Sequence, residues 1–386
     1  MTGRTTGDTV LCNLSRKQLV CATSGVAAYV VFLTWYLHLS RIHFGWGMTP
    51  VRTGHNLSSP ASGGARSPSG RDSLPVLAND RLPPNSSTVA NAEDCYTFSY
   101  ILNKPNICSG SRVLTLLIVV LSSTINFAQR EVIRETWGAA ACRRGYRLVF
   151  LIGRPMLKPD QSKILYEDTK HGDLVQADFT DSYRNLTLKS MTMVRWSNEY
   201  CPGAQFVLKI DDDMLLNVWG LADRVRRLQG VKRTMWGLLA REWKPHRNPR
   251  SKWYVSAREY RNSTYPDFLT GPSYLLSGDC APLLVRGSAG VPYLFLEDVF
   301  LTGMVAGKMG IKRVHDEGFL NYKKRFRPCT RPRIVASHDY RPRDLQQTWR
   351  SLFAIAEDRG CDDTDLSAGA AVTNVTARKR NAAWRA

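Results

Sequence analysis

The chain has 386 residues, 43% of them hydrophobic, at a mean hydropathy of −0.27. That suffices for one large domain or two ordinary ones with a water-soluble core. The formal net charge of +20 would suit a nucleic acid, but the cations are spread along the chain. No nucleic-acid partner is expected; the phosphates of a nucleotide donor, or acidic glycans, match that charge better.

In chain order, residues 1–18 form a short tail with Arg4, Arg16 and Lys17 against a lone Asp8. Leu19 to Leu39, "LVCATSGVAAYVVFLTWYLHL", contains no Asp, Glu, Lys or Arg and matches the roughly 20 residues needed to span a bilayer. A cleaved signal peptide would have a shorter apolar run and a small-residue cleavage site, and "HLSRIHFGWG" is a poor one. The expectation is an uncleaved transmembrane signal anchor at 19–39, with the tail cytosolic and the bulk of the chain lumenal. Residues 40–92 are rich in Ser, Pro, Gly and Asn and read as a flexible stem.

Downstream sequons at Asn56, Asn85, Asn185, Asn262 and Asn374 agree with a lumenal placement; Asn13 lies in a sequon on the cytosolic side. Cys95, Cys108, Cys142, Cys201, Cys280, Cys329 and Cys361 are scattered without a zinc-like pair. In an oxidising lumen they should form disulfides. Seven is odd, so at least one thiol is free or joins two chains, which admits a homo-oligomer.

The folded domain is expected over 93–359. "RVLTLLIVVLSS" reads as a buried strand, "AQREVIRETWG" as a helix and "YRLVFLIG" as a strand. "QSKILYEDTKHG" is a helix, "DLVQADF" a strand, "LTLKSMTMVRWSNEY" a long helix and "AQFVLKI" a strand. This alternation of continuous apolar strands with helices implies an α/β fold with a mostly parallel central sheet flanked by helices. Shorter strands, "TMWGLL", "SKWYVS" and "YLLSG", then suggest a mixed half. Residues 360–386 read as a disordered tail.

Strand "FVLKI" runs directly into Asp211, Asp212 and Asp213. Three adjacent carboxylates repel one another, so the strand tip needs water or a cation. An EF-hand fails for want of the Gly and the late Glu at the required spacing. A divalent-metal site at the C-terminal end of a strand is the alternative to a solvated turn.

"REVIRETWG", "DFTDSYRNLTLK", "FVLKIDDDMLLN", "SKWYVS", "YPDFLTGPSYLLSGD", "LEDVF" and "RIVASHDYRPRDLQQTW" stand in the order found in the β1,3-galactosyltransferase family. The resemblance spans roughly residues 112–353. These are type II Golgi membrane enzymes, among them β1,3-N-acetylglucosaminyltransferases. The resemblance implies a GT-A-like fold, a UDP-sugar donor, a glycan acceptor on protein or lipid, Mn²⁺ and inversion at the anomeric carbon. By the same resemblance Asp213 is the carboxylate ligand of the metal and His338, in "VASHDY", its imidazole ligand. Asp211 faces the ribose and Asp212 supports the site.

Arg130 and Arg134, one helical turn apart, are candidates for nucleotide contact, with a solvated basic face as the alternative. Lys189 is a candidate pyrophosphate or structural cation. Trp236, Trp253 and Tyr274 are candidates for stacking on sugars, or core. Two departures from the family stand out. Gly271-Pro272-Ser273-Tyr274 replaces a second glycine in what should be a loop near the donor sugar. "EDVFLTG" is one residue longer before Gly303 than the commoner pattern, which should shift the following helix.

Glu297-Asp298 should sit at a helix N-terminus, where capping alone would explain them. Inverting transfer needs a carboxylate on the acceptor side, and in the family the Asp of "EDV" serves. That role passes to Asp298 as base, with Glu297 orienting it. The expected activity is transfer of galactose from UDP-galactose to a sugar 3-hydroxyl. UDP-N-acetylglucosamine as donor, and an inactive lumenal partner of another transferase, are the alternatives.

Overall fold

A computed structural model describes residues 96–110, 114–324, 326 and 333–354. The expected tail, anchor, stem and C-terminal tail lie outside the described residues, as do Asn56, Asn85, Asn374 and Cys95, Cys329 and Cys361. Among the described residues no helix is long and apolar enough to cross a membrane.

The first half alternates as the sequence implies: strands β1 (Tyr100–Leu102), β2 (Leu114–Leu121), β3 (Arg147–Arg154), β4 (Leu174–Thr180) and β5 (Ala204–Asp211). Between them lie helices α1 (Phe127–Ile133), α2 (Ala139–Arg143), α3 (Lys158–His171) and α4 (Leu186–Tyr200). Arg134–Gly138 joins α1 to α2 with wide π-type turns. The continuous apolar run of β2 is explained by its two cores. Leu116, Ile118 and Val120 pack with Trp137 and Phe150, while Leu117, Val119 and Leu121 pack with Met193 and Trp196. A strand covered on both faces cannot alternate with polar residues.

The second half adds β6 (Leu215–Leu216), α5 (Val218–Arg227), β7 (Thr234–Ala240), β8 (Phe268–Ser277) and α6 (Cys280–Ser288). It ends with the π-type helix α7 (Val299–Val305), β9 (Lys312–His315), β10 (Phe319–Leu320), β11 (Ala336–Ser337) and α8 (Pro342–Ala354). The main sheet has the order β1-β4-β3-β2-β5-β8-β7-β9, and a small sheet has the order β10-β11-β6.

The main sheet has the expected parallel half and the expected mixed half: among the described residues four of its seven strand pairings are parallel, β9 being parallel to β7. β4, β3, β2 and β5 are parallel, but β8 is antiparallel to both β5 and β7, and β1 to β4. The connection 241–267 contains no helix of the kind that usually makes a parallel crossover, and the antiparallel β7–β8 pair needs none. "SKWYVS" is likewise not a strand. Its Tyr254 makes an isolated bridge to His246, and turns occupy the neighbouring donors, with Tyr254 N on the Ser251 carbonyl at 3.0 Å.

The path β2-β3-β4 runs to one side of β2, and α4 then carries the chain back to β5 on the other side. The loops after β2 and β5 therefore open side by side at a topological switch point, where open α/β sheets bind ligands. Cys108 and Cys201 form a disulfide, Cys142 is also disulfide-bonded, and Cys280 is a free, buried thiol.

Candidate active site

Register alone places the acid run. Leu121, the last residue of β2, pairs with Asp211, the last of β5, so Ser122 faces Asp212 across the switch point. Asp212 is buried and turns inward, accepting from Ser122 Oγ at 2.7 Å and Asn126 Nδ2 at 2.9 Å. Gln129 Nε2 holds its carbonyl at 3.0 Å. Asp211 shares a strand face with Lys209, two residues back; Lys209 Nζ lies 2.6 Å from Asp211 Oδ1. Asp213 points outward with 42% of its side chain exposed, Oδ2 3.0 Å from His338 Nε2. Three directions and three different partners relieve the repulsion that the sequence raises.

The small sheet delivers His338. β6 follows the acids, and β11 pairs with it antiparallel, Ala336 on Leu216 and Ser337 on Leu215. Continuing that register brings the residues after Ser337 back over the acids, where Tyr340 N donates to the Asp213 carbonyl at 2.9 Å. Asp339 bends the chain with φ of 72°, a left-handed conformation that Asp tolerates better than most residues. Burial opposes protonation of His338, but Asp213 outweighs it and raises the imidazole above its ordinary range.

The pair fits a divalent cation. Asp213 Oδ1 is shielded from solvent yet has no hydrogen-bond partner, and one carboxylate with one imidazole suits a borderline to hard divalent ion. Among the described residues no third Asp, Glu, His or Cys joins them. The remaining positions would fall to a bound diphosphate and water.

The acceptor-side acids stand at the start of α7. Asp298 caps that helix, Oδ1 accepting from Val299 N at 2.9 Å, and Oδ2 accepts from Gly271 N at 3.1 Å. Glu297 is buried, Oε2 accepting from Ser190 Oγ at 3.0 Å and from the Tyr274 hydroxyl at 3.2 Å. Lys209 Nζ lies 3.3 Å from Glu297 Oε1, so one buried ammonium ties Glu297 to Asp211 and also donates to the Gly271 carbonyl. Burial works against that charge, but Asp211 and Glu297 hold it above the ordinary lysine range. Burial, and then the Glu297 carboxylate, push Asp298 up to about 7.

Gly271 is not in a loop, as its sequence suggested, but in β8. It falls at an irregularity where Gly237 of β7 pairs with Tyr274 and Leu239 with Leu269, a break in the ladder that admits Pro272. A Cβ on Gly271 would sit 3.0 Å from Glu297 Oε1 and 3.5 Å from Asp298 Oδ2. The extra residue of "EDVFLTG" has its counterpart in the π-type turns of α7, the usual way an inserted residue is accommodated in a helix.

Several candidates lie elsewhere than expected. Arg130 is fully buried, its guanidinium on Glu167 at 2.6 Å, Ser122 Oγ at 2.9 Å and the Ser123 carbonyl at 2.6 Å. Arg134 is bound to Asp173 and Glu167, each at 2.8 Å. With these donors engaged, Arg130 braces the loop after β2 while Arg134 ties the end of α1 to α3 and the segment before β4, and nucleotide contact by Arg130 does not fit the geometry. Lys189 is buried too, on the Ser122 carbonyl at 2.7 Å and Asp181 Oδ1 at 2.6 Å, so it is the structural cation of its two readings. Tyr274 and Trp236 are core, Trp236 packed on Phe206, and neither offers a face to a sugar.

Trp253 is partly exposed, with Lys252 Nζ 4.5 Å from its ring centre. Asn185 uses its amide on the Thr180 carbonyl at 2.8 Å, and the Thr187 of its sequon is buried; Asn262 is exposed. A cavity of about 620 Å³ between α1 and α3, lined by Phe127, Tyr166 and His171 among others, includes none of the candidate residues.

Residues absent from the sequence reading also belong here. Lys209 was legible as the same-face neighbour of Asp211 in "LKID". Ser122 and Asn126 had no local signal, since only the β2–β5 register sets them against Asp212. Tyr183, 45% exposed, stands close enough to the acid pair that burial, then the charges of Asp298 and Glu297, push its phenol up to about 12.

A galactosyltransferase family model matches residues 128–317, from the start of α1 to just past β9. Human beta-1,3-galactosyltransferase 5 is 38% identical over 242 residues, which are 61% of this chain and 78% of that one. Mouse beta-1,3-galactosyltransferase 1 is 30% identical over 261 residues, 67% of this chain and 79% of that one. Among solved structures, the galactosyltransferase LgtC with donor and acceptor sugar analogues aligns at a TM-score of 0.35 and 10% identity, covering 61% of this chain and 95% of that one. A glycosyltransferase acting in glycosylation of the PBCV-1 major capsid aligns at 0.34 and 8%, covering 61% and 99%. With relatives of this identity matched over most of their length, the chain belongs to the β1,3-galactosyltransferase family of transferase enzymes.

Proposed function

We propose that the protein transfers galactose from UDP-galactose to the 3-hydroxyl of an acceptor sugar on a glycoprotein or glycolipid, with inversion to a β1,3 linkage. The observation that carries the reading is a pair of distinct acid sets, Asp213 with His338 and Glu297 with Asp298, linked through Asp211 and the buried Lys209. The mixed sheet with acids at the C-terminal end of β5 supports a GT-A-like fold, and family membership supports a nucleotide-sugar donor.

In this reading Asp213 and His338 hold a divalent cation, Mn²⁺ by family resemblance. When bound, that cation would offset the charge that builds on the diphosphate as the sugar–phosphate bond breaks. Asp211 meets the nucleoside side of the donor. Asp298, ionised, takes the proton of the acceptor 3-hydroxyl as its oxygen attacks the anomeric carbon opposite the departing UDP. The amide of Gly271 and that of Val299 fix the carboxylate. Glu297 cannot share the task, because Lys209, Ser190 and Tyr274 occupy it; it orients its neighbour and raises that neighbour's basicity. Both acid sets are assembled, which disfavours an inactive partner protein.

The family relationship and the sequence features at 19–39 and 40–92 support a type II Golgi protein with a stem, a lumenal catalytic domain over 93–359 and N-glycans. Asn262 is a better placed site than Asn185. The deciding experiment measures UDP release by the full-length protein in detergent with Mn²⁺ and each of several UDP-sugars. UDP-galactose should lead; turnover with UDP-N-acetylglucosamine instead would move the protein to the sister activity, and turnover with none would remove the reading.

A further inference from the structure

Between Arg241 and Asn262, in the connection from β7 to β8, the chain carries seven Lys or Arg and two Glu. The connection is a built structure: Val255, Tyr260 and Tyr265 are buried, and Arg247 ties it together through the carbonyls of Val255 at 2.8 Å and Tyr260 at 2.7 Å. Glu259 is engaged by Ser256 at 2.7 Å. Lys244, Arg250, Lys252, Arg258 and Arg261 are exposed, and among the described residues none of them makes an ion pair. An exposed basic loop is ordinarily just a solvated face. This one leads to the acceptor-side acids.

Lys252 Nζ stands over two rings, 4.5 Å from the centre of Trp253 and 6.0 Å from that of Tyr183. Tyr183 shares a hydrogen bond with Trp253, and its phenol feels the charges of Asp298 and Glu297. On the other flank the exposed Arg184 lies 4.1 Å over Phe295, whose ring is 6.5 Å from that of Tyr183. Phe295 is itself buried beneath Arg184, so the aromatic faces left open beside Asp298 are those of Tyr183 and Trp253, with a cation on each side. Aromatic faces suit the apolar faces of sugars, and the cations suit an anion carried by the same glycan.

We propose that the acceptor is an anionic glycan, whose carboxylate or sulfate is met by Lys252 and Arg184 beside the Tyr183–Trp253 wall. The proposal rests on the galactosyltransferase reading above and names its substrate class. Glu297 and Asp298 would repel an anion at the reacting hydroxyl, so the charge sits away from that hydroxyl, on the side of the acceptor that faces the 241–262 segment. Cations at a cleft mouth raise the local concentration of an oppositely charged substrate and its on-rate by roughly tenfold or more, an effect that salt screens.

The test uses the full-length protein in detergent with Mn²⁺ and labelled UDP-galactose. The acceptors are p-nitrophenyl β-N-acetylglucosaminide and β-galactoside, each beside its 6-sulfate, and the β-glucuronide for the carboxylate. A charged acceptor should exceed its neutral counterpart in kcat/KM by roughly tenfold; sulfate and carboxylate arms tell which anion is taken. High ionic strength should shrink that ratio. The double substitution Lys252→Gln with Arg184→Gln should bring it near one, mainly through KM. Arg226→Gln, on α5 and paired to Asp223 at 2.8 Å, should leave it intact. Neutral acceptors used as well as or better than charged ones would overturn the proposal and leave galactosyl transfer standing. A preference that survives the double substitution would overturn the assignment to this wall. Absence of UDP release with every acceptor would end the underlying reading, and this proposal with it.

Discussion

Among single residues, the run Asp211-Asp212-Asp213 shows how three identical side chains take three tasks: a partner for Lys209, a tether to Ser122 and Asn126, and a neighbour for His338. Asp298 has the sharpest consequence. Asp298→Asn should keep UDP and Mn²⁺ affinity by calorimetry while transfer falls by about 10² or more, the scale of a missing general base. Since burial and Glu297 push this carboxyl up to about 7, the base is protonated below that pH, and transfer should rise as pH increases through it and then level. Stability runs the other way. A carboxyl whose folded pKa lies above its unfolded value favours folding fully below the unfolded value, and that contribution is lost as pH rises through about 7. Denaturation midpoints on either side of about pH 7 should show the loss in the wild type and not in Asp298→Asn. Lys209→Met leaves Asp211 and Glu297 without their buried counter-charge, and should cost about 3–5 kcal/mol in urea unfolding. A cost below 1 kcal/mol would mean that those carboxylates are neutral in the fold.

For whole elements, strand pairing is what assembles the two acid sets. β5 brings Asp211 level with the end of β2, and β11 on β6 returns His338 to Asp213. Because Asp213 and His338 are both partly exposed, replacing either with Ala should leave the melting temperature near that of the wild type. Calorimetry should meanwhile find that UDP no longer binds more tightly when Mn²⁺ is added. Unchanged Mn²⁺ enhancement in both variants would put the cation elsewhere. Just past the end of β8, Gly278 lies so close to β5 that a Cβ would fall 1.9 Å from the Ala204 carbonyl oxygen, while its N–H is held by the Gln205 carbonyl at 2.7 Å. The strand cannot retreat without losing that bond. Gly278→Ala should therefore destabilise by about 3 kcal/mol, the upper end of overpacking costs, as read by denaturant midpoint.

Across the whole molecule, the Cys108–Cys201 disulfide closes a span of 93 residues that includes β2, β3, β4 and α4. Constraining so long a loop in the unfolded chain is worth about 4–5 kcal/mol on the entropic account. Replacing both cysteines with Ala should lower stability by 2–5 kcal/mol. An oxidising compartment would keep that bond closed. That agrees with the proposed lumenal placement, whose own check is glycosidase sensitivity and protease protection of the domain in sealed vesicles.

The strands β2, β3, β4 and β5 and the helix α4 were legible in the sequence because a doubly covered strand must be apolar throughout and a long helix keeps its own period. The acid run and the Glu-Asp pair were legible because charge at the end of an apolar run is locally conspicuous. The burial of Arg130 was not legible, and that of Lys189 and Tyr274 stood only as one of two readings. Each carries a group that would serve a ligand equally well, and only the approach of Glu167, of the Ser122 carbonyl and of Glu297 from elsewhere in the chain satisfies it internally. Antiparallel β8 was likewise decided by tertiary structure, since strand direction follows from the path of the connecting segment rather than from the strand's own residues. The aromatic wall beside Asp298 depends on the same cause: Tyr183 and Trp253 are far apart in sequence, and no local pattern encodes their meeting.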